Sequence, residues 1–218
     1  MRRVEAAGSK ALVVTVDLPV LGQRVADLRN RFTMPAHLAL PNVVDDGRLV
    51  RVAPGEAASA LAAHAAMQID ASLSWRDIAW LRSITSLPVV LKGILRPDDA
   101  VRAFDEGASA VVVSNHGGRQ LDATPATADV LPRVAEAVAG RGELLVDGGI
   151  RRGTDVIRAL ALGARAVLVG RPILWGLAIE GEAGVTRALG ILRDEADRAL
   201  ALCGCVSPSD VGPGLLWK

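Results

Sequence analysis

The chain has 218 residues, half of them hydrophobic and 22% charged, so it can bury a core and is not intrinsically disordered. The 25 Lys and Arg residues against 24 Asp and Glu leave a formal charge of +1, which gives no general attraction to nucleic acid or an anionic membrane. No apolar run approaches the ~18 residues of a membrane span, and the charged start has no apolar stretch behind it, unlike a signal peptide.

In chain order, residues 2–7 read as the end of a helix, closed by Gly8, with a strand behind it that ends at Thr15-Val16-Asp17. Residues 18–86 form a long gap. Its 29–52 part lacks clear periodicity and carries Pro35, Pro41 and Asp45-Asp46-Gly47, so it reads as an excursion over the strand ends, a mobile lid. An amphipathic helix over 74–85 precedes a strand over 87–92, and a helix over 97–106 precedes a strand over 107–113. A helix over 127–139, with Pro132 expected near its first turn, precedes a strand over 143–147. A helix over 154–162 precedes a strand over 163–169, and 173–202 is a final helical region stopped by Gly204 and Pro208. The run Gly107-Ala108-Ser109-Ala110-Val111-Val112-Val113 recurs 56 positions on, from Gly163 to Val169, with a looser copy from Gly8. In each copy the glycine sits where a helix C′ residue takes positive φ. The continuous β-branched run behind it is the pattern of a strand buried on both faces.

Helix–strand alternation of this kind means α/β with a parallel sheet. Polar groups end the strands at Asp17, Lys92, Ser114-Asn115-His116, Asp147 and Gly170-Arg171, and no Gly-x-Gly-x-x-Gly turn follows any strand. Both features favour a (β/α)8 TIM barrel over a doubly wound sheet. A closed barrel needs eight strands and typically ~250 residues, and five strands are visible. The expectation is one barrel domain over 1–218, incomplete in this chain.

Two strand-end turns suit an anion. Asp147-Gly148-Gly149-Ile150-Arg151 and Gly170-Arg171 follow consecutive strands, where glycines let backbone N–H groups approach a phosphate and arginine adds a fork of donors. Ser114-Asn115-His116-Gly117-Gly118-Arg119 follows another strand directly. It offers a base of near-neutral affinity in His116 and a bidentate carboxylate clamp in Arg119. Asp17 suits either orienting His116 or a turn and cap role, and Arg24 follows it in a turn. Lys92 ends an apolar strand and needs an electron-rich partner, or else a carboxylate. His37 and His64 have no comparable setting, and Trp75, Trp80 and Trp175 read as packing residues. Cys203-Gly204-Cys205 is too tightly spaced for a redox pair and reads as small buried residues near a helix end. Two cysteines exclude a disulfide scaffold and a four-thiolate zinc site and suit a reducing cytoplasm.

These motifs together resemble the FMN-dependent 2-hydroxy-acid dehydrogenase/oxidase family, which includes glycolate oxidase, lactate oxidase and mandelate dehydrogenase. The carrying runs are Thr15-Val16-Asp17-Leu18-Pro19, Arg29-Asn30-Arg31-Phe32, Leu91-Lys92-Gly93-Ile94, Ser114 to Asp122, Asp147 to Gly153 and Gly170-Arg171-Pro172. The resemblance spans nearly the whole chain and implies FMN at the C-terminal mouth of the barrel. It implies that Thr15, Lys92 and Ser114 meet the flavin, while Asp147, Gly148, Gly149, Ile150, Arg151, Gly170 and Arg171 take its ribityl and phosphate. His116 would be the base, Asp17 its partner, and Arg24 and Arg119 the substrate clamps. The implied reaction oxidises a small (S)-2-hydroxy acid to the 2-oxo acid, with oxygen or a quinone or cytochrome as electron acceptor, in a homo-oligomer. The family also carries an N-terminal segment and three earlier strands, with tyrosines that help hold substrate, and this chain has no tyrosine. The expectation is therefore a C-terminal portion, strands four to eight, that is marginally stable alone and binds FMN weakly. Competing readings are a non-catalytic fragment and another FMN barrel, such as type 2 isopentenyl diphosphate isomerase, against which His116-Gly117-Gly118-Arg119 argues.

Overall fold

The computed structural model describes residues 1–32, 40–45, 48–50 and 69–217. In chain order its elements are α1 (Arg2–Ala6), β1 (Leu12–Thr15), α2 (Val25–Arg29), β2 (Leu40–Asp45), β3 (Arg48–Val50), α3 (Trp75–Ile84) and β4 (Val89–Ile94). Then follow α4 (Pro97–Asp105), β5 (Ala110–Val113), α5 (Thr127–Val138), β6 (Glu143–Asp147), α6 (Gly153–Ala161), β7 (Ala166–Leu168) and α7 (Arg171–Leu202). They fall into two units: Met1–Asp17 with Ser74–Lys218, and Leu18–Leu73. The smaller unit holds α2 and the antiparallel hairpin β2–β3, which flanks the Asp46-Gly47 dipeptide. The sequence reading had no strands there, although Asp-Gly between strands is a strong hairpin signal. Residues 33–39, 46–47 and 51–52 of the lid expectation, and His37 and His64, lie outside the described residues.

In the larger unit the repeat is a joint built three times. Gly8, Gly107 and Gly163 take φ of +76°, +89° and +107°. The next amide in each case reaches back to the carbonyl of Val4, Ala103 or Ala159, the six-to-one bond of a Schellman cap. Each joint feeds a strand of one parallel sheet, in the order β1-β4-β5-β6-β7. Strands lie side by side in sequence order with no reversal, which is how a barrel wall is wound and a doubly wound sheet is not. The architecture is a partial (β/α)8 barrel. Among the described residues, β1 and β7 each pair on one side only.

Alternate residues of the strands face the helices. Val89, Leu91, Val111, Val113, Leu144 and Val146 are buried there against Ile78 of α3, Ala100 and Ala103 of α4, and Leu131 and Val134 of α5. The other parity, Lys92, Val112 and Asp147, lies on the opposite sheet face, followed by the fully buried Ser114. The strand ends on that face therefore carry the polar chemistry. Among the described residues no helix is long and apolar enough to cross a membrane.

Four local readings need correction. Pro132 is the sixth residue of α5, beyond the first turn, and leaves the Ala128 carbonyl without its helical donor. The final helical region is two helices, broken where Glu180 and Gly181 leave helical φ/ψ. Trp80 and Trp175 are exposed, and only Trp75 packs against the core. Cys203 is exposed and Cys205 half-buried, so the pair is not a buried one.

Helix α6 is anchored to α7 by one carboxylate. Glu195 Oε2 accepts from the Gly153 N–H and from Arg152 Nε, each at 2.9 Å, and Oε1 lies 2.8 Å from Arg152 Nη2. Chiefly the Arg152 hydrogen bond, and then the Gly153 N–H, hold the Glu195 carboxyl below its ordinary range. A folded-state value depressed in this way contributes stability above the unfolded value, lost as pH falls through the folded one. Glu195→Gln should therefore lower the melting temperature at about pH 7, and the gap from the native chain should shrink by about pH 3. Melts showing the same gap at both pH values would contradict this.

Candidate active site

The ends of β4, β5 and β6 are tied together by one lysine. Lys92 Nζ lies 3.0 Å from Asp147 Oδ2 and donates to Ser114 Oγ at 3.1 Å, with both charged side chains largely covered. Its reach crosses the inner face of β5, so the carboxylate partner that the sequence left open for Lys92 is Asp147. The Asp147 backbone carbonyl accepts from Thr127 Oγ1 at 2.6 Å. The other carboxylate oxygen, Oδ1, is buried with no hydrogen-bond partner among the described residues. A buried acceptor left open is costly unless a ligand donor completes it.

Behind β5 the chain turns left-handed. His116, Gly117 and Gly118 have φ of +55°, +66° and +71° in succession. For a histidine that conformation costs about 1–2 kcal/mol, so the loop must be held from outside. Ser114 Oγ accepts the His116 N–H at 3.1 Å. Asn115 Oδ1 accepts the Gly117 N–H at 3.1 Å, and its Nδ2 donates to the Pro125 carbonyl. Arg171 Nη2 donates to the Gly117 carbonyl at 3.1 Å.

The histidine ring is aimed by Asp17. Nδ1 lies 3.1 Å from Asp17 Oδ1 and 3.3 Å from Oδ2. An ionised carboxylate only accepts, so Nδ1 carries the proton and the neutral ring keeps Nε2 as its acceptor. Asp17 thus orients the ring and is not merely a turn residue.

A cavity of about 520 Å³ opens on these strand ends. His116, Arg119, Lys92 and Asp147 line it together with the turn from Gly148 to Arg151. Gly170 and Arg171 complete the sequence-predicted set there, and the first turn of α7 has no side-chain cap. Arg151, Arg171, Gly148 and Gly149 line this one cavity. Lys92, Arg119, Arg151 and Arg171 outnumber Asp147, so the field favours an anionic ligand. Arg151 stacks over the Trp175 ring, with Cζ 5.5 Å from its centroid.

The remaining predicted residues are placed differently. Ser114 is fully buried beneath Lys92, and Asp17 stands behind His116. Thr15 ends β1 in register with Lys92, and Arg24 is the N-cap of α2 in the smaller unit. The sequence alone gives no site role to Gly93, Asn115, Gln120 or Thr127, and gives Trp175 only a packing role. A glycine inside a strand does signal a bulge, and the β4–β5 register shifts between Lys92 and Ile94. The other four act through contacts with residues distant in sequence or through loop geometry, which no local pattern reveals.

The family profile described as FMN-dependent dehydrogenase matches residues 1–218. The chain is 53% identical over 217 residues to an L-lactate oxidase of Nostoc sp., covering 99% of this chain and 59% of that protein. It is 54% identical over 221 residues to 2-hydroxyacid oxidase 1 of Homo sapiens, covering 100% of this chain and 59% of the relative. A crystal structure of mandelate oxidase superposes with a TM-score of 0.82 at 45% identity, covering 96% of this chain and 57% of that one. The chain thus spans a little under three-fifths of the curated relatives it matches.

Proposed function

Because the chain belongs to the FMN-dependent dehydrogenase family, we propose that its strand-end cluster is the flavin-anchoring and proton-abstracting part of a 2-hydroxy-acid oxidase site. The observation that carries this reading is one cavity lined by His116, whose Nδ1 is engaged by Asp17, together with Arg119 and a second group of cations. The similarity to lactate, 2-hydroxyacid and mandelate oxidases favours this class over the isomerase reading.

The residues fit FMN. The open Oδ1 of Asp147 suits a ribityl hydroxyl donor, and Arg151, Arg171 and the Gly148-Gly149 turn suit its phosphate. Lys92 would offer a positive charge and Thr15 a hydroxyl to the ring, while the buried Ser114 holds the Lys92 ammonium from beneath. When bound, FMN supplies the two-electron acceptor that makes the 2-oxo acid from the 2-hydroxy acid. Arg119 takes the substrate carboxylate. His116 Nε2 receives a substrate proton, and Asp17 stabilises the resulting imidazolium. The names of the relatives support oxygen as the final electron acceptor.

The test is an FMN titration followed by turnover of L-lactate, glycolate and mandelate. It is run on the chain alone and with the part of the Nostoc relative outside the aligned region. Among the described residues β1 and β7 pair on one side only, which makes weak binding the expected result alone, and tighter binding with turnover the expected result on supplementation. No flavin binding in either arm would leave only the non-catalytic reading.

Two substitutions probe the ligand contacts. Arg119→Lys should chiefly raise KM, because the planar fork is lost. An unchanged KM would remove Arg119 from the clamp. Trp175→Ala should weaken FMN by about 2- to 5-fold, the worth of an exposed cation–π contact on Arg151. Riboflavin, which lacks the phosphate, should bind equally to both forms, and a matching loss for riboflavin would refute the assignment.

A further inference from the structure

Asp17 stands just beyond β1, a strand paired on one side among the described residues. The sheet holds the chain there through one bond, from the Val16 N–H to the Lys92 carbonyl at 2.8 Å. Two further contacts then bracket Asp17 itself. Gln120 Nε2 donates to its backbone carbonyl at 3.0 Å. On the other side the irregular β4 backbone brings Gly93 against its side chain. A Cβ on Gly93 would lie 2.5 Å from Asp17 Cγ and 2.8 Å from Oδ1, and its φ is +110°.

We propose that Gln120 and Gly93 are positioning residues of the His116–Asp17 pair: Gln120 fixes the Asp17 backbone, and Gly93 leaves the space in which its carboxylate meets Nδ1. Gln120 and His116 belong to the same loop, so Asp17 is gripped by that loop twice, once at its carbonyl and once at its carboxylate. A shift of the loop carries both grips together and preserves the ring's aim. Neither residue touches the proton that His116 moves. The inference rests on the proposed base only for its catalytic meaning, since the grip itself is a matter of geometry.

The test is nitrogen-15 NMR on the full chain, reading solvent exchange of the His116 Nδ1 proton. Gln120→Met removes the donor at nearly constant length. It should speed that exchange by about 2- to 10-fold, the population shift from losing one hydrogen bond, with β4–β6 amide signals unchanged. Gly93→Ala should move Asp17 and abolish the protected signal. In the unmutated chain, the Gln120 side-chain amide should exchange more slowly than that of the exposed Gln23, a readout that stands even if a variant fails to fold. Equal Nδ1 exchange in native and Gln120→Met protein, or a Gln120 amide as fast as Gln23, overturns the proposal. Unchanged turnover in His116→Ala would instead defeat the base assignment and leave the NMR result intact.

Discussion

His116→Ala should lower turnover of a 2-hydroxy acid by at least about 10²-fold, the low end for a positioned base. The ring is held with Nδ1 on Asp17, so Nε2 is the one nitrogen available to substrate, and alanine offers nothing in its place. The expected loss is in kcat, with FMN stoichiometry retained, because Lys92, Asp147, Arg151 and Arg171, the groups proposed to hold the cofactor, are untouched. Alanine would sit in the same left-handed backbone, at φ near +55°, so folding stability should change little. Steady-state kinetics beside a flavin spectrum separates the two effects. Unchanged kcat would place the base elsewhere.

Lys92→Met should be the most destabilising single change at the site. It strands the Asp147 carboxylate, one of whose oxygens already lacks a partner among the described residues, and it takes a donor from the buried Ser114. Breaking one half of a largely buried pair costs about 3 kcal/mol at the low end of the usual range. For a chain of this size that corresponds to a fall of roughly 6–12 °C in melting temperature. Adding Asp147→Leu should recover much of the loss, since removing both charges costs less than removing one. A double variant no more stable than Lys92→Met would mean that the pair is not the source of the cost. Both variants should lose FMN affinity.

Much of the fold was legible because its signals are local. The three glycine joints and the β-branched runs behind them each lie within about ten residues and placed β1, β5 and β7, while short apolar runs behind helices placed β4 and β6. The barrel reading followed from where polar residues end those runs, and the sequential strand order agrees with it. The hairpin β2–β3 escaped because an aperiodic, proline-bearing stretch hides short strands. The break in α7 escaped because Glu180 and Gly181 interrupt an otherwise helical pattern by two residues. At the site, His116, Arg119 and the arginine turns were readable from their strand-end positions. The partner of Lys92 was not, because it depends on two strands separated by a third. Gln120 and Gly93 act on Asp17 across 103 residues and across a bulge, and neither contact has a sequence period.

Arg171 belongs to two structures at once. It lines the cavity proposed to take an anion, and one of its nitrogens holds the Gly117 carbonyl beside His116, the proposed base. A side chain shared in this way makes the two regions thermodynamically reciprocal. If anion binding tightens the hold on the His116 loop by some factor, an ordered loop tightens anion binding by that same factor. The phosphate end of a ligand can thus set how firmly the base is held without touching it.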